Sequence, residues 1–510
     1  MGQKTELDSP TETYKRLSNN THKNWIKDKG LRRLNLGIVF MLSSSAATGY
    51  TSSLINGLLV LPEFETLIGG LKESVLGLII ASLSLGAIIS FVPASYVADI
   101  HGRKICVFFG SVLVITATLV QVLITHHWVF FGTRVLAGVG VGISQTAAPL
   151  LTTEIAHPRH RQTFTAIYNA CWSFGAIISA SVIFGTLPIT NSWSWRIPCI
   201  LQTFYPTVQL LGLYFVPESP RWLVSKNRKE EALDMLAKYH ANGDKDDELV
   251  QHEYQQICSS IGAEMGIRAR SWSSFVSTRG DIHRLSICVL VGIMQEWVGN
   301  GIISFYLAPI LDSVGITDAS DQASINVSLQ IWNFILAIAG AIASERFGRR
   351  VLWLTATAMM FTFLSITTIV AALFTERDIP EAGVAVVPML FLFFGSYDLA
   401  YAPLFIAYPA EILPFQLRAK GLAITLTTDA VACFFNQYVN PIAFAALQWR
   451  YYCFYIGTLS MFFVLVYFLF PETKGRSLEE VSEIFDRKNN NSSNNSSNNT
   501  VCVDEVLHPK

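Results

Sequence analysis

Asp99-Ile100-His101-Gly102-Arg103-Lys104 and Glu345-Arg346-Phe347-Gly348-Arg349-Arg350 stand half a chain apart, each following a long apolar run. Outward from them the pairing continues. Glu154 and Arg161, six residues between them, recur as Glu411 and Arg418. Pro217-Glu218-Ser219-Pro220-Arg221 recurs as Pro471-Glu472-Thr473-Lys474-Gly475-Arg476. Three motifs repeated in one order, each at the end of an apolar run, describe a chain built from two parallel copies of one helical unit. Transporters use such duplication to hold a site at the membrane midplane between two rocking bundles.

The apolar runs supply the rest of the architecture. Twelve can be drawn, at 34–61, 74–98, 105–125, 129–152, 163–186, 197–216, 284–311, 323–345, 351–373, 384–409, 419–445 and 452–470. Their typical length, about 20 residues, is what a helix needs to cross roughly 30 Å of hydrocarbon. The chain is 51% hydrophobic and only 15% charged, with a mean hydropathy of +0.39, a balance suited to lipid. Outer-membrane barrels would show short alternating segments instead. The fold class is therefore an all-α membrane protein of twelve transmembrane helices in two six-helix pseudo-repeats. The expected parts are an N-tail (1–33), a first six-helix bundle (34–216), a polar central segment with short amphipathic helices at Lys229–Tyr239 and Leu249–Ile261 (217–283), a second bundle (284–470) and a C-tail (471–510).

Of the 37 Lys and Arg residues, all but Lys72, Arg134, Arg196, Arg377 and Arg450 fall on the side of the two chain ends. The positive-inside rule makes that side cytoplasmic. The formal net charge of −1 conceals this asymmetry and gives no sign of a nucleic-acid partner. The N-tail is polar and basic and lacks the apolar core of a removed signal, so the first span is expected to act as the insertion signal. The eight cysteines are scattered without metal-ligand or disulfide spacing. The Asn/Ser run 489–500 is too polar to bury a core and reads as disordered. Its sequons face the cytoplasm, while Asn326-Val327-Ser328 lies near the outer side, close to the membrane.

The charged motifs have a physical task. An acid at a helix end and an Arg past a glycine turn can pair across the gap between halves when the cytoplasmic side is closed, and release when it opens. Gly102 and Gly348 are expected to permit the tight reversals. The gating set is Asp99, Gly102, Arg103, Arg134, Glu154, Arg161, Glu218, Arg221, Glu345, Gly348, Arg349, Glu411, Arg418, Glu472 and Arg476. Arg134 lies within a span, is costly there and calls for a partner such as Glu154. Lipid headgroups and topology alone would also favour basic residues on this side, but they do not explain the repetition.

Together these motifs resemble the sugar porter family of the major facilitator superfamily, over roughly residues 34–485. Finer features resemble its fungal lactose permease-like and hexose transporter branch: Gly49-Tyr50, Asn56-Gly57, Cys171-Trp172, Trp193-Ser194-Trp195-Arg196, Gly299-Asn300-Gly301 and Phe435-Asn436-Gln437-Tyr438-Val439-Asn440-Pro441. The resemblance implies a multi-pass plasma-membrane transporter for a mono- or disaccharide, working by alternating access. It places sugar contacts on Asn169, Gln295, Glu296, Asn300 or Gly301, and Asn333. Asn436 joins them by its inward polar character, with Trp297, Tyr306, Trp332 and Tyr401 as aromatic walls. Sugar hydroxyls ask for groups that both donate and accept, and a sugar's C–H face packs on aromatic surface. Proton-coupled members of the family resemble one another in an Asp after the first-span Gly-Tyr, where this chain has Thr51. Glu296 stands where the branch has Gln, and Asp398 and Asp429 are further acids inside apolar runs. These three are the candidate proton carriers, leaving symport and facilitated diffusion both open.

Other classes fit less well. A sugar sensor on the same fold would be expected to carry a long signalling tail. An enzyme would need a nucleophile set, a metal cluster or a phosphate loop, and the glycines of 138–142 lie in a span, where small residues serve packing. The expected partners are a small-molecule sugar, protons if coupled, and lipid, with no cofactor and no metal.

Overall fold

The computed structural model describes residues 17–22, 25–68, 72–123, 126–266, 272–377, 379–474, 481 and 484–485, and among them the secondary structure is helical, without strands. The Asn/Ser run, Arg476 and most of both tails lie outside the described residues. The first half comprises α1 (Lys29–Leu58), a short α2 (Pro62–Ile68), α3 (Glu73–His101), α4 (Arg103–Leu123), α5 (His127–Ile155), α6 (Arg161–Thr186) and a sixth crossing in two pieces, α7 (Trp193–Leu201) and α8 (Phe204–Leu213). Three short helices follow: α9 (Pro220–Ser225), α10 (Lys229–His240) and α11 (Glu248–Gly266). The second half begins with a broken crossing, α12 (Arg279–Trp297) and α13 (Asn300–Ser313). It continues through α14 (Ala319–Arg346), α15 (Arg349–Arg377), α16 (Pro380–Ile412), α17 (Phe415–Leu447) and α18 (Tyr451–Leu469).

Ten helical stretches are long and apolar enough to cross a membrane. They give twelve crossings because α7 and α8 are each too short to qualify, and because α17 and α18 run on as one stretch through a turn at Gln448 (φ 47°). The breaks have local causes. Pro206 has no N–H to give the Gln202 carbonyl and crowds it, so the sixth span parts between α7 and α8. Gly299, at φ 103°, turns the chain between α12 and α13.

Small residues let the spans close on one another, which in lipid replaces the hydrophobic drive of water. A Cβ on Gly86 of α3 would lie 2.9 Å from Gly138 Cα of α5, and one on Gly340 of α14 would lie 2.9 Å from Leu399 Cα of α16. Gly49 and Gly175 likewise admit the facing backbones of α6 and α1. The second half has one continuous apolar core around Trp353, Tyr401 and Tyr408. In the first half one core lies toward the far side, around Tyr50, Phe64 and Trp195. The other joins Leu34, Ile38, Leu151 and Ile155 of the spans to Leu223, Met235, Leu236 and Val250 of α9–α11. The short helices are thus built into the first half on the side where residues 18–20 and 471–473 lie, the tail side.

The halves meet through residues toward the opposite, far side. Asn56 Nδ2 donates to Asn326 Oδ1 at 3.3 Å, and Asn56 Oδ1 accepts from Leu307 N at 3.3 Å. Ser84 Oγ donates to Gln437 Oε1 at 2.8 Å, and Gly77 admits Tyr438 and Pro441. Asn326 is buried in this seam with its amide engaged, so its sequon has no room for a glycan in this arrangement.

Candidate substrate site

The break in the seventh span organises the polar interior. Ending α12 at Trp297 frees backbone carbonyls that a continuous helix would have used, and in a membrane they need internal partners. Asn436 Nδ2 of α17 supplies one, donating to Glu296 O at 2.8 Å, and Thr458 Oγ1 of α18 donates to Trp297 O at 3.0 Å. Asn436 Oδ1 accepts from Asn440 Nδ2 (2.6 Å), whose own oxygen accepts from the hydroxyls of Tyr455 (2.7 Å) and Tyr451 (2.9 Å). A Cβ on Gly301 would overlap the Asn436 carboxamide, so a larger residue there would push that amide off its bonds. Asn436 and Gly301 therefore brace the break. The sequence reading missed Asn440, Tyr451 and Tyr455, although the Asn436/Asn440 spacing, one helical turn, marks a shared face.

Around this brace several oxygens are left open. Gln295 Oε1, Glu296 Oε2, Asn300 Oδ1 and Asp429 Oδ1 are all buried without a hydrogen-bond partner among the described residues. Three of them flank the break, where exposed helix ends and unpaired amides suit a hydroxyl-rich ligand. Asp429 belongs with Glu296: Gly292, one turn before Glu296, packs against the Asp429 backbone, and the two carboxyls lie within electrostatic reach. Asn333 of α14 sits apart from this group. With its nitrogen as donor it reaches Leu329 O at 3.2 Å and Asp398 Oδ2 at 3.3 Å, so Asp398 serves as its partner between α14 and α16. The side chain of Asn169 lies outside the described residues.

The polar ends of the expected aromatic walls are all engaged. Trp297 Nε1 donates to Ala432 O (3.2 Å), and Trp332 Nε1 donates to Phe391 O (2.8 Å). Tyr401 is buried in the second-half core with its hydroxyl on Thr357, 2.8 Å away. Tyr306 Oη donates to Gln437 O (2.7 Å) where the halves meet. The polar atoms of all four are engaged within the protein, while the rings of Trp297 and Trp332 stay half-buried.

The charged motifs form two matching clusters, each within its own half. Glu218 accepts from the backbone N–H of Arg103 (3.2 Å) and Lys104 (3.3 Å), while Glu472 accepts from those of Arg349 (2.8 Å) and Arg350 (3.1 Å). Arg103 faces Glu154 with Nε at 3.4 Å, and Arg349 grips Glu411 through Nε at 3.2 Å and an Nη at 2.9 Å. Ser219 and Thr473 close the clusters by donating to Glu154 and Glu411. In this arrangement the halves are joined toward the far side, so the pairing expected across the tail-side gap is not what is formed. Both motif glycines leave room for a carboxylate, Gly102 for Glu218 and Gly348 for Glu472, and of the two only Gly102 needs positive φ. Asp99 is largely exposed at 3.6 Å from Arg103, Arg221 is exposed, and the Glu345 side chain lies outside the described residues. Arg161 pairs with Glu253 of α11 at 3.0 Å, and Arg418 reaches Leu413 O at 3.5 Å.

The expected Arg134–Glu154 pair is corrected by helix geometry. The two stand at opposite ends of α5, about 30 Å apart at 1.5 Å per residue, and Glu154 is taken by Arg103 and Ser219. Arg134 is 2% exposed, lies beside Cys199, and has no ion-pair partner among the described residues. Thr51 is buried with its hydroxyl unpaired.

Comparison with known proteins bears on this arrangement. Hexose transporter 2 of Kluyveromyces lactis is 29% identical over 80% of this chain and 74% of its own length. The low-affinity glucose transporter of the same yeast is 27% identical over 80% and 73%. Among solved structures, the inward-open conformation of the xylose transporter XylE from E. coli superposes with a TM-score of 0.72 at 21% identity, covering 88% of this chain and 98% of that one. XylE bound to 6-bromo-6-deoxy-D-glucose, described as a proton:xylose symporter, gives 0.71 at 21% identity, covering 89% and 100%. These structures share the twelve-helix fold. The family model for sugar (and other) transporters matches residues 36–485, and the chain belongs to that family.

Proposed function

We propose that this protein carries a neutral mono- or disaccharide across the plasma membrane by alternating access, with both termini cytoplasmic. The observation that carries the site is the group of open oxygens on Gln295, Glu296 and Asn300 at the break in the seventh span. Sugar hydroxyls would satisfy them as the sugar enters from the tail side. Asn333 and Asn169 would complete the set from α14 and α6. The hexose and glucose transporters among the relatives support a hexose-sized ligand, and the lysine and arginine asymmetry supports the orientation. Both expectations are tested by a radiolabelled sugar panel in a host lacking its own sugar uptake. Uptake of no sugar at all, with the protein present at the cell surface, overturns the reading and leaves a sensor.

The mode we propose is facilitated diffusion, because the first half has Thr51 and an Arg134 without an acid partner among the described residues. One observation favours proton symport instead: Glu296 and Asp429 lie close together, each with a buried unpaired oxygen. Coupling requires a group whose proton affinity differs between the two open states. A protonophore separates the modes. Facilitated diffusion predicts equilibration without accumulation, insensitive to the protonophore, and Glu296→Gln then alters apparent sugar affinity only. Accumulation that collapses with the protonophore and is abolished by Glu296→Gln, with downhill exchange spared, establishes symport.

A further inference from the structure

The chain just before the first span is strapped onto the short helices. Ser18 donates to Glu248 Oε2 twice, through Oγ at 2.6 Å and through its backbone N at 3.1 Å. Asn19 Nδ2 donates to Asp247 Oδ1 (3.2 Å) and to His240 O (2.9 Å), and Asn20 N donates to Asp247 Oδ2 (2.7 Å). Asn242 Nδ2 returns a bond to Asn20 O at 2.8 Å and holds Asp28 at 3.0 Å. The strap thus sits on two carboxylates at the start of α11, and Ser18 is exposed. Its two hydrogen bonds hold the Glu248 carboxyl below the usual carboxylate range. The residues before it read Lys15-Arg16-Leu17-Ser18, basic side chains immediately ahead of a serine, the charge pattern that an acidic kinase groove recognises.

We propose that Ser18 is a phosphorylation site for a serine/threonine protein kinase that selects basic residues, and that the phosphoryl group unseats residues 18–22 from α10 and α11. In the transfer, Ser18 Oγ bonds to the γ-phosphorus of ATP, the bond from that phosphorus to the β–γ bridging oxygen breaks, ADP leaves, and the hydroxyl proton passes to the kinase's base. The product has lost the O–H donor that Glu248 accepts. It also sets about −1.5 to −2 charge beside Glu248 and Asp247. A helix N-terminus ordinarily welcomes a phosphate, but here the donors are occupied: Asp247 Oδ1 already accepts from Leu249 N (3.0 Å) and Val250 N (3.2 Å). Asp244 and Asp246 precede these acids in sequence, and Lys245 is paired with Asp234. His252 also lies beside Glu248. Repulsion therefore outweighs any new bond, and α11, whose Glu253 holds Arg161 of the fifth span, loses its strap.

The proposal rests on the cytoplasmic placement of the N-terminus, which protease protection of an N-terminal tag in sealed vesicles reports separately. The test uses the full-length protein reconstituted in lipid, ATP and the catalytic subunit of cyclic-AMP-dependent protein kinase, with a synthetic peptide of residues 12–22 as reference. Mass spectrometry should find phosphate on Ser18, absent in Ser18→Ala and reduced severalfold in Arg16→Ala. Hydrogen exchange at the amides of Ser18 and Asn20 should then quicken at least about tenfold, since a released segment exchanges as open chain. Ser18→Asp should reproduce part of that increase without kinase. Modification of the peptide but not of the protein, or of neither, removes the site. Phosphate on Ser18 with unchanged exchange removes the release.

Discussion

The two halves carry the same charged cluster on their tail sides yet differ in what they bury. Arg103 Nη1 donates to Ala98 O at 3.2 Å and Arg349 Nη1 to Ser344 O at 2.8 Å, equivalent bonds in two copies of one unit. Glu218 with Ser219 and Glu472 with Thr473 continue the match atom by atom. The interiors have parted: the first half holds Thr51 and a buried cation without an ion pair among the described residues, while the second holds Glu296, Asp398, Asp429 and a broken span braced by Asn436. The lesson is that duplication has kept the charged cluster in both copies and left the buried acids and the broken span in one, as the proposed binding site requires. A rocking mechanism needs two similar lever ends but only one polar binding wall.

The comparison is broken most forcefully at the stronger cluster. Arg349→Ala removes a two-pronged grip on Glu411, and for groups this partly exposed the loss is about 1–2 kcal/mol, roughly tenfold in the balance of transport states. Arg103→Ala removes one approach to Glu154 at 3.4 Å and a looser contact with the exposed Asp99, and should cost severalfold less. Initial rates of uptake with surface expression held equal provide the measurement. Equal effects in the two variants would mean that the tighter geometry of the second half has no functional weight.

Next in size are the interior substitutions. Gln295→Ala and Asn300→Ala each remove an acceptor for a sugar hydroxyl, worth about 1 kcal/mol, so the sugar concentration for half-maximal uptake should rise about fivefold. Asn333→Ala also leaves Asp398 without its donor and should reduce both affinity and surface expression. Thr51→Ala, in the first half, should change affinity little. A larger effect at Thr51 than at Gln295 would move the binding wall into the first half.

An effect of another kind, on local stability and not on transport, is that of pH on the docking of α10 and α11. The His157 imidazole is pushed down to about 2 by burial first, and then by His240, Arg159, His160 and Arg161. A group lowered in the folded state takes up protons on unfolding, so its contribution is complete near neutral pH and lost as pH falls below about 6.5, at a slope approaching 1.4 kcal/mol per unit. Burial works against the charge of Glu253, but His240 and Arg161 outweigh it and hold that carboxyl low, so its share is lost only at more acid pH. Hydrogen exchange in α10 and α11 measured from pH 7 to pH 5, corrected for intrinsic rates, should show the loosening, and His157→Asn should flatten it.

Much of the architecture was legible beforehand because hydrophobic length and motif spacing are local properties. Twelve apolar runs, the three repeated motifs and the two amphipathic segments later seen as Lys229–His240 and Glu248–Gly266 each depend only on neighbouring residues. Which acid faces which base does not. Arg134 and Glu154 share a helix but stand a membrane's width apart, whereas Arg103 and Glu154, far apart in sequence, touch. For the aromatic residues expected around the ligand, sequence gives residue type and span. Whether an indole N–H is spent on a neighbouring carbonyl, as at Trp297 and Trp332, depends on how two helices cross. By itself the sequence determined that this chain crosses a membrane twelve times in two related halves of the sugar porter kind. The tertiary structure alone decided that the motif charges close within each half, that Asn436 braces the broken span, and that Gln295, Glu296 and Asn300 keep oxygens open, because satisfaction of a buried polar atom is a matter of distance between helices and not of position along one.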